Sequence, residues 1–148
     1  MRNRIAVSVA VLLFAVIAFA YQKNVDALKD EVEHAHGAHR AKLALETADQ
    51  LIGVADGQFT AGETAQAQAT VDEVVKYAHI ARDTSIDNRG SMKQTEIGLR
   101  QITRRLEGLK RTLAVDDRVP LDAAEKKIDQ FRQDLLDAMF SPKKKEKS

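Results

Sequence analysis

The sequence predicts an all-α protein, built as an up-down antiparallel bundle of about four helices with a long, overhanging N-terminal helix. Apolar residues recur at spacings of three and four through most of the chain after Tyr21, which is the period of an amphipathic helix. Aromatic residues make up only 5% of the 148 residues, with 2 Pro and 7 Gly, so the residues that build and punctuate β-strands are scarce. The chain has no Cys, which excludes disulfides, thiolate zinc sites and a cysteine nucleophile.

The first twenty residues have the pattern of an export signal. Arg2 and Arg4 precede an apolar run from Ile5 to Ala20, which ends in Ala18-Phe19-Ala20, a sequence of the kind that a signal peptidase cuts. The run is long for a signal peptide and slightly shorter than the roughly 17–25 residues of a spanning helix. Two interpretations stay open. Cleavage before Tyr21 gives a periplasmic or secreted protein, and retention gives an inner-membrane anchor with the bundle outside the cytoplasm.

The first helical segment of the exported part extends from about Gln22 to Asp56, with Gly37 inside it. The apolar stripe before Gly37 is out of phase with the stripe after it, so we expect a bend or a phase slip at the glycine. This segment would be roughly 50 Å long, whereas the later helices would be about 28–36 Å. Residues 21–37 are therefore predicted to overhang the bundle of residues 38–140 as a stalk.

The predicted stalk has an apolar stripe of its own. Its members are Val25, Leu28, Val32 and Ala35. An exposed stripe of this kind is usually buried by another chain, but a seam of about two heptads is weak in water. The sequence therefore predicts a monomer or a weak homodimer.

Three later segments each begin with a capping box, in which a short polar residue and a Glu or Gln three positions on cap the helix reciprocally. The boxes are Thr60-Ala-Gly-Glu63, Ser91-Met-Lys-Gln94 and Asp122-Ala-Ala-Glu125. Short connections then make successive helices antiparallel neighbours. The periodic positions predict a core of Leu45, Ile52, Phe59, Val71, Val74, Leu99, Ile102, Leu106, Leu109, Ile128, Phe131 and Leu135. The Lys-rich residues 141–148 are predicted to be a disordered tail.

Small and aromatic residues form a local pattern around the second capping segment. Ala55, Phe59, Gly62 and Ala67 follow one another at the spacings of a tetratricopeptide-type helical hairpin, which residues 48–81 resemble. Val71 stands where that family has an aromatic residue, His79 where it has proline, and the pattern does not recur. The resemblance implies one pair of tightly packed helices and no repeat array.

Three of the four histidines lie within six residues, beside two carboxylates. On a continuous helix, Glu33, His36 and His39 are spaced three apart and share a face. Imidazole and carboxylate groups bind Zn²⁺, Cu²⁺ or Ni²⁺, so this trio is a candidate metal site, with His34 beside it. The alternative is that these residues are simply solvated. A di-iron site fails on ligand count, because no further Glu-x-x-His motif occurs outside the cluster.

The third predicted helix is basic along one side. Arg100, Arg104 and Arg111 lie one and two turns apart and form a positive ridge, which suits an anionic partner such as a lipid headgroup, a polymer or an acidic protein. The alternative is pairing with acidic residues of the next helix, which are Asp122, Asp129, Asp134 and Asp137. Export and the shortage of aromatic residues argue against nucleic acid as the partner.

No catalytic or nucleotide-binding motif occurs in the sequence, which has no Walker loop, Gly-x-Gly-x-x-Gly or Gly-x-Ser-x-Gly. We therefore expect no enzymatic activity and no resident cofactor. The expected function is that of an exported helical-bundle protein of the bacterial envelope, acting as an interaction, adaptor or scaffold module for an envelope protein or an anionic surface. The alternative is a periplasmic metal-handling or stress-response protein that uses His34, His36 and His39.

Overall fold

The computed structural model describes residues 24–141, of which 91% are helical and none lies in a strand. The all-α class is confirmed, but the helices number five rather than about four. They are α1 (residues 24–34), α2 (Gly37–Thr60), α3 (Thr64–Asn88), α4 (Met92–Thr112) and α5 (Val119–Phe140), with a 3-10 turn at Val115–Arg118. The predicted signal or anchor of residues 1–20 and the Lys-rich residues 142–148 lie outside the described residues. Within residues 24–141, no helix is both long and apolar enough to cross a membrane.

Contacts between α2 and α3 show how the two helices of the predicted hairpin are arranged. Near the connection, Thr70 Oγ1 donates a hydrogen bond to Gln58 Oε1 at 2.7 Å. At the far end, Gly37 lies beside Asn88. The two helices therefore run in opposite directions, with Ala55 and Ala67 completely buried between them and their neighbours.

Helix α4 runs alongside α2 and against α5. Leu45 meets Gly98, and Asp49 pairs with Arg105, so α2 and α4 run in the same direction. Lys110 contacts Asp122 close to the α4–α5 connection. Glu96, near the start of α4, contacts Arg132 in the second half of α5, so α4 and α5 run in opposite directions. At the end of α5, Arg89 Nη2 donates to the Ala138 carbonyl at 3.3 Å.

The predicted N-terminal stalk is wrong for the part of it that the structure describes. Val25, Leu28 and Val32 are 0%, 9% and 1% exposed and belong to the main hydrophobic core. On the same helix, Lys29 forms an ion pair with Glu73 in the middle of α3. Helix α1 thus lies along α3 instead of extending beyond the other helices. The apolar stripe of α1, on which the predicted weak homodimer depends, is therefore buried within the chain.

The physical reason is a complete break in the helix before Gly37. Ala35 and His36 are not helical, and Gly37 has φ +57°, a left-handed conformation that costs glycine little and other residues more. A bend or phase slip was expected at this glycine, and the observed change is a reversal. It returns the apolar stripe of α1 to the core.

The predicted core is largely correct. Nine of its twelve residues are buried, and Leu45, Phe59 and Phe131 are half-buried at the edge of the core. The main error is on α2, where Leu43 and Leu51 are buried although neither was predicted to face inward. Because α2 packs against both α3 and α4, its buried face is wider than a single stripe.

Of the three predicted capping boxes, only the one at Ser91 marks the start of a helix. Ser91 is the N-cap residue of α4 as expected, but its hydroxyl bonds Ser85 Oγ at 3.0 Å rather than a backbone N–H. Thr60 is the last residue of α2, and α3 begins at Thr64. Asp122 lies inside the first turn of α5, where its carboxylate binds Lys110. The side chains of Ser91 and Asp122 are thus used in tertiary contacts.

Two adjacent residues of α4 test the position of the core. Leu106 is completely buried, whereas the Arg105 side chain is 43% exposed and pairs with Asp49. We expect Leu106→Ala to lower the free energy of unfolding by about 2–5 kcal/mol because it leaves a cavity. Arg105→Ala removes an exposed ion pair and should cost less than about 1 kcal/mol. Urea unfolding of both variants measures this difference, and equal losses would contradict the assignment of the buried face.

Candidate functional site

A groove of about 620 Å³ lies between the first half of α2 and the first half of α4. Ala38, Leu45, Ile97, Gly98 and Ile102 form its apolar part, and polar side chains of both helices form its edges. Ile97 is 37% exposed, which makes it one of four exposed large apolar side chains among the described residues. The groove is therefore an accessible apolar surface rather than a gap in the core.

The groove depends on the close approach of two helices at Gly98. A methyl group at this position would lie 2.6 Å from Leu45 Cδ1, closer than carbon atoms pack. Leu45 thus occupies the space that a side chain at position 98 would need. The glycine is conformationally ordinary here, and its small size is what the contact requires.

The charged side chains that line the groove are Lys42, Glu46 and Asp49, and basic residues of α4 that are unpaired among the described residues stand outside this lining. Arg105 pairs with the lining residue Asp49, and its Nη1 lies 2.5 Å from Asp49 Oδ1 and 2.9 Å from the Asp49 carbonyl oxygen. Lys93 and Arg104 stand four residues before and seven residues after Ile97, on the same side of α4. On α2, Lys42 and Glu46 line the opposite edge and offset each other.

The structure separates the three arginines of the predicted positive ridge. Arg100 Nη2 donates to both carboxylate oxygens of Glu96 at 2.8 Å. Arg104 and Arg111 are exposed and make no hydrogen bond or ion pair with the described residues. None of the three pairs with an acidic residue of α5. Asp122 instead binds Lys110 at 2.8 Å, and this contact together with Glu125 raises the pKa of Lys110.

Glu96 is the one carboxylate in the described core. It is 5% exposed and receives hydrogen bonds from Arg100 on its own helix and from Arg132 on α5, whose Nη2 lies 2.9 Å away. Burial of the carboxyl group raises the pKa of Glu96, but the hydrogen bonds from Arg100 and then Arg132 outweigh it, so the pKa lies below its usual value. Both oxygens of this carboxylate accept hydrogen bonds from an arginine, Oε1 from Arg100 and Arg132 and Oε2 from Arg100. Its role is to join α4 and α5.

The predicted metal ligands do not share a helix face. Glu33 belongs to α1, His36 lies in the break and His39 belongs to α2, so the spacing of three that linked them is not that of one continuous helix. His34 Nδ1 lies 2.8 Å from the Asp30 carbonyl oxygen. In residues 24–141, no three His, Asp or Glu side chains are grouped closely enough to hold a metal ion. The geometric basis of that prediction is wrong, and metal binding by these residues stays a prediction.

Sequence reasoning missed the groove itself. Ile97 falls outside the core stripe of α4, so its apolar side chain among polar neighbours was the available signal. Gly98 follows it in the middle of a helix, where glycine is unfavourable and often marks close packing. Neither residue was singled out.

The first prediction for this site concerns Gly98 and Leu45. In a Leu45→Ala background, Gly98→Ala should stabilise the protein by up to about 1 kcal/mol, because alanine is the better helix former. With Leu45 present, the methyl group must displace the leucine, so most or all of that gain should be lost. Denaturant unfolding of the four proteins gives the coupling. The same effect in both backgrounds would contradict the contact.

The second prediction concerns Glu96. Glu96→Gln should cost about 2 kcal/mol near neutral pH, less than breaking a fully buried pair, because the Arg100 side chain is half exposed. Since the folded pKa of Glu96 is lowered, its stabilisation is complete above the ordinary value of 4.5 and disappears as the pH falls through the folded pKa. Unfolding measurements near pH 7 and near pH 3 should show the variant and the wild type converging at the lower pH.

The matched control for this measurement is Glu107→Gln on the same helix. The Glu107 side chain makes no hydrogen bond or ion pair with the described residues, so its substitution should change stability by less than about 0.5 kcal/mol. A deficit of Glu96→Gln that persists unchanged at low pH would show that its carboxylate charge does not join the helices.

No protein-family model, no curated protein and no solved structure matches this chain. Its function is therefore inferred from its own residues, above all from the groove between α2 and α4.

Proposed function

We propose that this protein is an exported, non-catalytic interaction or adaptor module, folded as an up-down antiparallel bundle, whose groove between α2 and α4 receives an amphipathic helix of an envelope protein. Support for export comes from the cationic start, the apolar run and Ala18-Phe19-Ala20. Support for the bundle comes from the residue pairs that join successive helices. The observation that carries the interaction is the accessible apolar groove with Ile97 at its edge.

The dimensions of the groove suit a helix. Residues 38–49 of α2 and 91–102 of α4 border it and run in the same direction for about 17 Å, which is about three helical turns. A partner helix lying there would present residues at positions i, i+3 or i+4 and i+7 to Leu45 and Ile97. This is the usual way in which an amphipathic helix enters a groove.

The charges favour an acidic partner. Lys93 and Arg104 have no partner among the described residues, and both lie on the same side of α4 as Ile97, one turn before it and two turns after it, just outside the residues that line the groove. An arginine or lysine at the rim of an interface chiefly sets specificity and the association rate. A helix with leucine-like residues on one face and Glu or Asp at its flanks therefore fits the groove better than a basic helix.

A peptide titration tests this function. The probes are a fluorescently labelled Leu/Glu amphipathic helix of about three turns and a Leu/Lys peptide of the same length. We expect the acidic peptide to bind and the basic peptide not to bind, as measured by anisotropy. Arg104→Glu should weaken binding about tenfold, with a larger effect at low salt because the arginine is exposed and its attraction to an acidic helix is screened by salt.

The matched control is Lys127→Glu on α5. Lys127 is exposed and makes no hydrogen bond or ion pair with the described residues, so its charge reversal equals that of Arg104→Glu in size and exposure. Ile97→Glu should abolish binding. Equal binding of both peptides, or equal effects of the two charge reversals, would contradict the proposal.

A further inference from the structure

Two exposed valines mark the end of the molecule at the α4–α5 connection. Val115 is 72% exposed and Val119 is 67% exposed, and they stand four residues apart across the 3-10 turn and the start of α5. Among the described residues, the other exposed large apolar side chains are Ile97, 37% exposed in the groove, and Phe140, 83% exposed at the end of α5. The valines are thus a separate apolar surface.

The first described residue lies at the same end. Lys29 meets Glu73, and Asn24 is five residues earlier, about 7.5 Å closer to the first turn of α3. The contact between Gln58 and Thr70 places the end of α2 there as well. Because α4 runs in the direction of α2, its last turn and the following valines reach this end too.

The sequence leaves little chain between this end and the apolar run. The run ends at Ala20, so four residue steps separate it from Asn24. Four steps span at most about 14 Å, even when fully extended. If residues 1–20 are retained as an anchor, this short connection holds the end with Val115 and Val119 near the membrane surface.

We propose that this end of the protein faces the lipid bilayer and that Val115 and Val119 contact its interface. The inference rests on the retained-anchor form of the proposed export. Basic and acidic residues are mixed here. Arg111 has no partner among the described residues, Arg118 donates to the Leu113 carbonyl, and Asp116 and Asp117 lie in the same turn. Apolar contact, rather than selective binding of anionic lipid, is therefore the interaction to test.

Because the chain has no cysteine, a fluorophore can be attached specifically to a single introduced cysteine. Single cysteines replace Val115, Val119 or Phe140 in the full chain, which is reconstituted in phosphatidylethanolamine–phosphatidylglycerol vesicles. Each carries an environment-sensitive fluorophore. Phe140 is the matched control, because it is also an exposed apolar residue but lies at the opposite end of α5, about 30 Å away. A quencher attached to the lipid headgroups reports proximity.

We expect blue-shifted emission and at least twofold quenching at positions 115 and 119, with no quenching at position 140. Val115→Asp combined with Val119→Asp should reduce the quenching of a label placed at Arg111→Cys while leaving the circular dichroism spectrum unchanged. Equal quenching at 115 and 140 overturns the orientation. So does an intact mass showing that the chain recovered from the membrane begins at Tyr21.

These outcomes are distinct from failure of the groove. Loss of acidic-peptide binding with the fluorescence contrast intact overturns the proposed adaptor function and leaves the membrane-facing end standing. Cleavage before Tyr21, with peptide binding intact, overturns the membrane-facing end and leaves the proposed adaptor function standing.

Discussion

A positive φ at Gly37 lets α1 fold back along α3, and the surfaces that the protein leaves exposed depend on this reversal. The returning helix buries Val25 and Val32 in the core and pairs Lys29 with Glu73. Burying two valines completely is worth about 3–6 kcal/mol, whereas glycine adopts the left-handed conformation at little cost. The reversal is therefore strongly favoured over an extended helix whose apolar stripe meets water.

The charged side chains around α4 divide it into two sides with different roles. On the α5 side, Glu96 is surrounded by Arg100 and Arg132, and Lys110 binds Asp122 and Glu125. These contacts hold α4 and α5 together, and each charged group named here has a partner of opposite charge. On the other side, Arg104 and Arg111 make no hydrogen bond or ion pair with the described residues. The positive ridge predicted from spacing is thus not one surface. Arg100 binds the buried carboxylate of Glu96, whereas Arg104 and Arg111 are exposed.

Helix positions and most of the core could be predicted from the sequence, because the period of α3, α4 and α5 is a local property. What could not be predicted were the features that depend on a second helix. Spacing showed that Gly37 disturbs the phase, but the choice between a bend and a reversal depends on whether α3 offers a surface for Val25 and Val32. Likewise, Ser91 and Asp122 have the chemistry of caps, yet Ser85 and Lys110 are better placed to bind them. The candidate metal site failed for the same reason, since it assumed a continuous helix through His36.

In the anchored form proposed above, the number of helices also determines which end of the protein would face the membrane. With an even number of antiparallel helices the chain begins and ends on one side, whereas five helices place Asn24 and Ser141 at opposite ends. An extended stalk of sixteen residues would hold the bundle about 24 Å from an anchoring bilayer. In that proposed form, folding back removes the spacer and brings the end with Val115 and Val119 close to the lipid. The groove, bordered by the first halves of α2 and α4, then lies in the half of the molecule that points away from the membrane, where a partner helix can reach it.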